Sequence, residues 1–181
     1  MKSLADTRKL TTMGIIAALS VALVFFIHFP IIPQAPFLEY DPADIPILIL
    51  TFIYGPLSGL IVTLVAAVVQ GLTVSAQSGA YGVIMHIIST GSFVISAGLI
   101  YRIKQNRRGA GLALICGLIV NVAVMVPANL IVTPVFMGAS ADAVKAMLLP
   151  AIIPFNLVQS GINGAFTYFL YELIFNVIKR R

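Results

Sequence analysis

The residues of this chain that could do chemistry are neutral amides rather than the charged groups of a catalytic site. Asn156, Gln159 and Asn163 stand at i, i+3 and i+7 in an apolar segment near the C-terminus, so a helix there places them on one face. Three such amides could form a cup that donates hydrogen bonds to a ligand and accepts them from it. The alternative is that they bind neighbouring helices together, as Asn and Gln commonly do inside membranes. The charge pattern described below places them near the outer surface, which favours a ligand site.

Further polar residues lie in other apolar segments. His86 is a functional candidate, because ionisable side chains in such segments are costly and usually functional. A hydrogen-bonded packing role is the alternative for this residue. Asn129 falls near the predicted outer end of its segment and is another candidate, whereas the deeper Asn121 is expected to be structural. Gln70 fits either role.

A proline-rich segment after the first apolar segment combines aromatic residues with carboxylates, and residues 37–44 read Phe-Leu-Glu-Tyr-Asp-Pro-Ala-Asp. Solvent exposure would explain the acids, and Asp41 or Asp44 could cap the helix that follows. Alternatively, the segment is a lid over a pocket, and Leu38, Tyr40 and Asp41 then contact a ligand. The pattern is compatible with both interpretations.

Several classes of chemistry have no signature in the sequence. It contains no glycine-rich phosphate loop of the Walker type, no His/Cys metal cluster and no nucleophile paired with a base. We therefore expect no enzyme activity, no catalytic residue, no metal and no cofactor. The single Cys116 excludes an internal disulfide. The net charge of +5 does not indicate a nucleic-acid partner, because nearly all basic residues are confined to three short clusters.

The elements that must position these residues are membrane helices. Residues 45–101 contain no Asp, Glu, Lys or Arg, whereas a soluble domain needs charged groups on its outer faces. A charge near the bilayer centre costs about 2.5–3.5 kcal/mol on insertion scales, and one crossing needs ~20 residues. The uncharged run is therefore long enough to cross the bilayer more than once. The composition, 60% hydrophobic and 9% charged, also predicts a polytopic membrane protein.

The basic residues predict the orientation of the chain in the bilayer. They form three clusters: Lys2, Arg8 and Lys9; Arg102, Lys104, Arg107 and Arg108; and Lys179, Arg180 and Arg181. By the positive-inside rule all three clusters are cytoplasmic, so an even number of crossings separates each pair. Both termini are therefore expected on the cytoplasmic side.

The helix boundaries predict one all-α membrane domain over residues 1–181, a bundle of six transmembrane helices. These helices cover residues 11–29, 45–54, 56–74, 81–101, 111–132 and 154–178. Gly55 and Pro56 separate the second helix from the third, because proline disfavours helix at the preceding residue and fits a first turn. The second helix is short for a bilayer. An outer loop is predicted over residues 134–145.

Small residues form two stripes in which every fourth position is Gly, Ala or Thr. The members are Gly14, Ala18 and Ala22 on the first helix, and Gly55, Gly59 and Thr63 on the third. Such stripes let two helices approach closely in lipid. Internal packing accounts for either stripe. A chain without an energy-converting motif of its own could also use one of them to dock on another membrane subunit.

Four short motifs occur in a characteristic order. They are Ala18-x-x-x-Ala22, Tyr-Asp-Pro-Ala-Asp-Ile-Pro at 40–46, Tyr-Gly-Pro at 54–56 followed by Gly59, and Ile-Pro-Phe-Asn at 153–156. Their order and spacing resemble those of the substrate-binding S components of energy-coupling factor (ECF) vitamin transporters, most of all the riboflavin-type members. The resemblance runs from about Lys9 to Lys179.

This resemblance implies a multi-pass protein of a bacterial cell membrane, with six helices and a vitamin held beneath capping loops near the outer surface. It implies as partners a transmembrane coupling subunit, contacted through the small-residue motif of the first helix, and two ATPase subunits. Asn129 and Asn156 are similar to the asparagines that contact the flavin ring. Gln159 stands where riboflavin members usually have Lys, and Met85-His86 replaces their usual Asn-Phe.

Riboflavin is accordingly the first expected ligand, and pantothenate, pyridoxine or a thiamine precursor are the alternatives within the same class of transporter. A membrane scaffold or assembly protein without a small ligand would also explain the small-residue stripes. It would not explain why amides gather at the outer end of the last helix.

Overall fold

Helices account for most of this chain. The structure is a computed structural model, 84% helical, and it describes residues 4–33 and 35–179. Lys2, Arg180 and Arg181 of the basic clusters lie outside the described residues. The described helices are α1 (Leu4–Phe26), α2 (Asp44–Tyr54), α3 (Pro56–Leu72), α4 (Gly79–Ile103), α5 (Arg107–Met137), α6 (Ala141–Met147) and α7 (Ile153–Lys179). A 3₁₀ turn (Ala76–Ser78) precedes α4, and a π-helical turn (Leu148–Ile152) joins α6 to α7.

Four helical segments of the described chain are long and apolar enough to cross a membrane. They lie in α1, in α4 with the preceding turn, in α5, and in the continuous stretch from α6 to α7. α2 and α3 are shorter, at 11 and 17 residues, whereas one perpendicular crossing needs ~20. The chain is therefore an all-α protein whose long helices have the apolar character of membrane spans.

The shortest of the predicted membrane helices, α2, lies at the centre of the bundle. Ile47, Leu48 and Leu50 are fully buried, and α2 packs against α1, α3, α4 and α7. At 1.5 Å per residue, α2 is about 16 Å long, roughly half the ~30 Å thickness of the hydrocarbon core. Since protein rather than lipid surrounds this helix, it can be short and apolar on all sides.

The corner between α2 and α3 depends on a glycine. Gly55 has a φ of 88°, which a residue with a Cβ rarely adopts, and Pro56 begins α3. The Arg102 guanidinium lies over this corner, with its Nη2 atom 2.8 Å from where a Gly55 Cβ would be. The α2–α3 corner is therefore at the same end of the bundle as the basic loop between α4 and α5.

The two small-residue stripes have different surroundings. A Cβ at Gly59 would collide with Thr51 and would lie 2.7 Å from Val94, so the stripe on α3 serves close packing against α2 and α4. A Cβ at Gly14 would meet nothing within 4 Å. Ala18 and Ala22 of the α1 stripe are exposed as well. The α1 stripe is thus not used for packing among the described residues.

The segment between α1 and α2 folds back over one end of the bundle. Phe29 pairs with Tyr40, and Pro30 pairs with Glu39, in a short antiparallel ladder that the sequence did not predict. The first helix accordingly ends at Phe26 rather than at residue 29, because the chain becomes extended there to form the ladder. The segment, which we call the lid, covers the cavity described below.

The segment predicted as an outer loop over residues 134–145 is largely helical. α5 continues through Pro134 to Met137 and is followed by Gly138, whose φ of 61° is left-handed. α6 then begins after Ser140, whose side chain caps the helix. Pro134 does not end α5, because in lipid a backbone that leaves the helix loses several hydrogen bonds, whereas proline removes only one donor.

Candidate functional site

A cavity lies at the end of the bundle opposite the α2–α3 corner. It is lined by the C-terminal parts of α1, α3 and α5, the N-terminal parts of α4 and α7, and the lid. Its volume is about 150 Å³, whereas one buried water needs roughly 10–15 Å³ measured in the same way. The cavity is therefore large enough for a ligand of many atoms.

Amides from α5 and α7 form one wall of the cavity. Asn129 is 1% exposed; its Nδ2 atom donates to the Met125 carbonyl at 2.8 Å, and its Oδ1 atom accepts from Thr133 at 2.9 Å. The Asn156 Nδ2 atom donates to the Ile152 carbonyl at 2.7 Å. These bonds to residues of the same helical stretch fix the amides, and each Asn keeps hydrogen-bonding capacity for a ligand.

Aromatic and apolar side chains supply most of the remaining surface. Phe37 of the lid and Phe136 of α5 have ring centroids 6.4 Å apart, and Tyr81 of α4 is 5.7 Å from Phe136. Phe155 and Met125 line the cavity as well. Ligand pockets typically combine such apolar contact area with a few polar groups that orient the ligand. This surface suits a flat, partly aromatic molecule.

A network of polar groups joins the lid to α4 and α7. The Asp41 carboxylate lies 3.5 Å from His86 Nδ1, and His86 Nε2 lies 3.4 Å from the Thr90 hydroxyl. Thr90 donates to Asp44 at 2.6 Å. Of the two acids that could cap α2, Asp41 accepts from the Ala43 backbone N–H at 3.0 Å, immediately before the helix, although Ala43 itself makes no side-chain cap bond. The Asp44 carboxylate instead holds the start of α2 against α4 and α7.

Tyr40 and Asn163 lie behind the cavity wall rather than on it. The Tyr40 hydroxyl donates to Asn163 Oδ1 at 2.9 Å, and Asn163 Nδ2 donates to the Asp41 carbonyl at 2.9 Å and to Asp44 at 3.1 Å. Burial, followed by the charges of Asp41 and Asp44, raises the pKa of Tyr40 above its ordinary value. Tyr40 thus stays a neutral hydrogen-bond donor at physiological pH and fastens the lid to α7.

The predicted site residues divide into two groups in the structure. Six of them line the cavity: Leu38, Asp41, His86, Asn129, Asn156 and Gln159. Tyr40 and Asn163 support the lid. Gln70, which the sequence left open between two roles, also lines the cavity; its only signal in the sequence was that it is an amide in an apolar helix.

Asn121 has the structural environment that the sequence predicted. Its Nδ2 atom donates to the Ser89 carbonyl at 2.8 Å and to the Ser89 hydroxyl at 2.9 Å, while its Oδ1 atom accepts from Ser160 at 3.1 Å. One amide thus joins α4, α5 and α7 below the cavity.

The charge of the lining restricts the ligand. The titratable side chains among the described lining residues include Glu39, Asp41, His28 and His86, and none is a lysine or an arginine. A phosphate or carboxylate on the ligand would meet acidic groups without a fixed positive partner, which is unfavourable in a partly buried site. The cavity therefore fits an uncharged molecule best.

The long helices are apolar, and they enclose a cavity beneath a folded lid. These are the features of a membrane protein that binds a small molecule. The family model described as the substrate-specific component of ECF transporters matches residues 8–171, and the chain belongs to this family. The family consists of substrate-binding components of transporters rather than of enzymes.

The chain is similar to curated relatives and to a solved structure over nearly its whole length. The riboflavin transporter RibU of Staphylococcus aureus is 28% identical, covering 98% of this chain and 96% of the relative. The riboflavin transporter FmnP of Bacillus subtilis is 23% identical over 95% and 92%, respectively. A solved S component of a bacterial ECF transporter superimposes with a TM-score of 0.85 at 28% identity, covering 96% of this chain and 99% of the other.

Proposed function

We propose that this protein binds riboflavin at the outer face of a bacterial cell membrane as the S component of an ECF importer. The cavity carries this proposal, because it offers fixed amides on one wall, aromatic side chains around them and no lysine or arginine among the described lining residues. The flavin ring is flat and uncharged, and its edge carries carbonyl and N–H groups that amides can bind. The names of the relatives support the same ligand.

In this proposal Asn129, Asn156 and Gln159 bind the polar edge of the ring. Asn129 and Asn156 are positioned by bonds to residues of their own helical stretch. The Gln159 side chain lines the cavity. Leu38 contacts the ring from the lid, while Tyr40, Asp41 and Asn163 keep the lid closed over it.

The chain crosses the membrane six times in this proposal, with both termini in the cytoplasm. The Gly55 corner lies beside Arg102, so α2 and α3 both run between the basic end of the bundle and the end that holds the cavity. α2 falls short of the full bilayer thickness because it begins beneath the lid, inside the protein. All three basic clusters are then on the cytoplasmic side, and residues 1–181 form one membrane domain.

Uptake requires partners that supply energy, namely a transmembrane coupling subunit and two ATPase subunits. The exposed stripe of Gly14, Ala18 and Ala22 is the surface that we assign to the coupling subunit. Its small side chains permit close approach of a second membrane helix, and packing among the described residues of this chain does not require them.

Binding of riboflavin to the purified protein tests the proposal. The chain contains no tryptophan, so binding is followed by quenching of the flavin's own fluorescence rather than of tryptophan fluorescence. We expect saturable 1:1 binding of riboflavin, and binding of its phosphate ester that is weaker by about tenfold or more, because the ester would bring a buried anion without a positive partner. No flavin binding, or equal binding of the ester, would contradict the proposed ligand chemistry.

Pyridoxine is the second candidate. A thiamine precursor is an equal alternative, because Gln159 at the position where riboflavin members usually have Lys, and Met85-His86 in place of their Asn-Phe, depart from the riboflavin pattern without selecting another vitamin. Pantothenate is disfavoured, since its carboxylate would face Glu39 and Asp41. Competition of labelled riboflavin by unlabelled pyridoxine, pantothenate and a hydroxymethylpyrimidine ranks these ligands in one experiment.

A further inference from the structure

Gln70 is a buried amide with an unpaired donor on the α3 side of the cavity. It is 4% exposed, it lines the cavity, and its Nε2 atom has no hydrogen-bond partner among the described residues. Leaving such a group unpaired in a protein interior is destabilising. Buried polar groups without a partner are therefore rare in native proteins, and they occur mainly where a ligand or a function requires them.

The backbone around Gln70 is fixed, so the amide is held in place. The Gln70 carbonyl accepts from Thr73 N at 3.1 Å and from Ser75 N at 2.9 Å, which closes the end of α3. Gly71 follows, and a Cβ at that position would collide with Val83 of α4. The end of α3 is thus packed directly against α4, and the Gln70 side chain is confined to the cavity side.

The position of Gln70 indicates that it contacts a different part of the ligand from the part that the amides of α5 and α7 contact. α3 packs mainly against α1, α2 and α4, whereas Asn129 and Asn156 belong to α5 and α7, which pack against each other. Asp41, His86 and Ser78 contribute further polar groups to the cavity. The Asp41 carboxylate accepts hydrogen bonds, so it can pair with donors on the ligand.

We propose that Gln70 is a specificity-determining residue that binds the hydroxylated side chain of riboflavin, while the ring lies against the amides of α5 and α7. This inference rests on the proposed function. A hydroxyl both donates and accepts, so it can pair with either end of the Gln70 amide and can donate to Asp41. The ring offers a single N–H donor at its edge, whereas the hydroxylated chain offers several hydroxyl donors.

A comparison of riboflavin with lumiflavin, which has a methyl group in place of the hydroxylated chain, tests this assignment. We expect Gln70→Ala to weaken riboflavin binding by about tenfold and to change lumiflavin binding by less than about twofold. Gln105→Ala is the matched control, because Gln105 is exposed in the loop between α4 and α5, and it should change neither affinity. The inference is wrong if Gln70→Ala weakens both ligands equally or neither.

A second variant separates ligand binding from a structural role. Gln70→Met keeps the length of the side chain and removes its hydrogen-bonding groups, so it should raise the melting temperature of the ligand-free protein while weakening riboflavin selectively. A lower melting temperature together with weaker lumiflavin binding would show that Gln70 supports the fold, and would overturn the assignment. If the unaltered protein binds neither flavin, the proposed function fails along with this inference. If it binds riboflavin and both variants behave like it, only the inference fails.

Discussion

Two amides in the cavity wall, those of Asn129 and Asn156, gain their position from a nearby carbonyl and keep part of their capacity for a ligand. Asn129 and Asn156 both donate to the carbonyl four residues earlier. Such a bond uses one of the two N–H groups and holds the side chain in one rotamer. The wall is thus preorganised, and a ligand that binds it does not have to order flexible side chains.

We expect Asn156→Ala to weaken riboflavin binding by about 1–3 kcal/mol, because a buried ligand group would lose its partner. The melting temperature of the ligand-free protein should change little, since the lost bond is to a carbonyl that already lies in a helix. Isothermal titration and thermal unfolding measure the two effects. Asn121→Ala is the contrasting variant: it breaks bonds to Ser89 and Ser160 and should mainly lower the melting temperature. Equal losses of stability in both variants would contradict this division.

Tyr40→Phe should loosen the lid without removing any group that lines the cavity. The change leaves Asn163 Oδ1 without its donor, and an unpaired buried acceptor costs about 1–3 kcal/mol. We expect faster dissociation of riboflavin in stopped-flow experiments and a smaller change in its association rate. Phe25→Tyr, at an exposed position of α1, is a control for aromatic exchange, and unchanged dissociation in Tyr40→Phe would contradict the role of the lid.

Residue type and spacing predicted the amides of the wall but not the depth of each one. Asn156 and Asn163 share a helix face, yet they are about 10 Å apart along the axis, so Asn163 lies behind the cavity wall and binds the lid instead. Gln70 could not be selected, because an amide in an apolar helix is compatible with packing and with ligand binding. Only the neighbours contributed by other helices separate the two roles.

At the scale of elements, each helix face has a distinct task. The glycines of α3 allow close packing inside the bundle, where a Cβ at Gly59 would meet α2 and α4. The stripe on α1 is exposed, although its sequence pattern is the same. The pattern alone predicts close approach of some helix, and the partner of each stripe depends on which way the helix is turned in the bundle.

We expect Ala18→Leu and Ala22→Leu to abolish uptake in cells that contain the coupling subunit and the ATPases, while riboflavin binding to the purified protein stays unchanged. Bulky side chains would keep a helix of the coupling subunit from approaching the α1 stripe. Ala123→Leu is the matched control, because Ala123 is an exposed alanine on α5, and it should transport normally. Normal uptake by the α1 variants, or loss of binding in them, would show that this face is not the docking surface.

At the scale of the whole molecule, the distribution of charge and the cavity give the bundle two different ends. The basic loop between α4 and α5 and the Gly55 corner share one end, and the lid and cavity occupy the other. The uncharged run and the basic clusters predicted this polarity, because the cost of charge in lipid acts on the whole chain. The folding of the lid was not predictable, because contacts from distant helices, such as that of Asn163 with the Asp41 carbonyl, fix it.

The six-crossing topology predicts which positions are reached from each side of the membrane. In a Cys116→Ser background, Ala141→Cys near the cavity end should react with a membrane-impermeant thiol reagent added to intact cells. Gln105→Cys, on the other side of α5, should react only after the membrane is permeabilised, because the basic loop is cytoplasmic. Both positions are exposed, so access across the membrane rather than burial determines labelling. Labelling of Gln105→Cys in intact cells, or protection of Ala141→Cys, would reverse the orientation and move the cavity to the cytoplasmic side, which is incompatible with import by this mechanism.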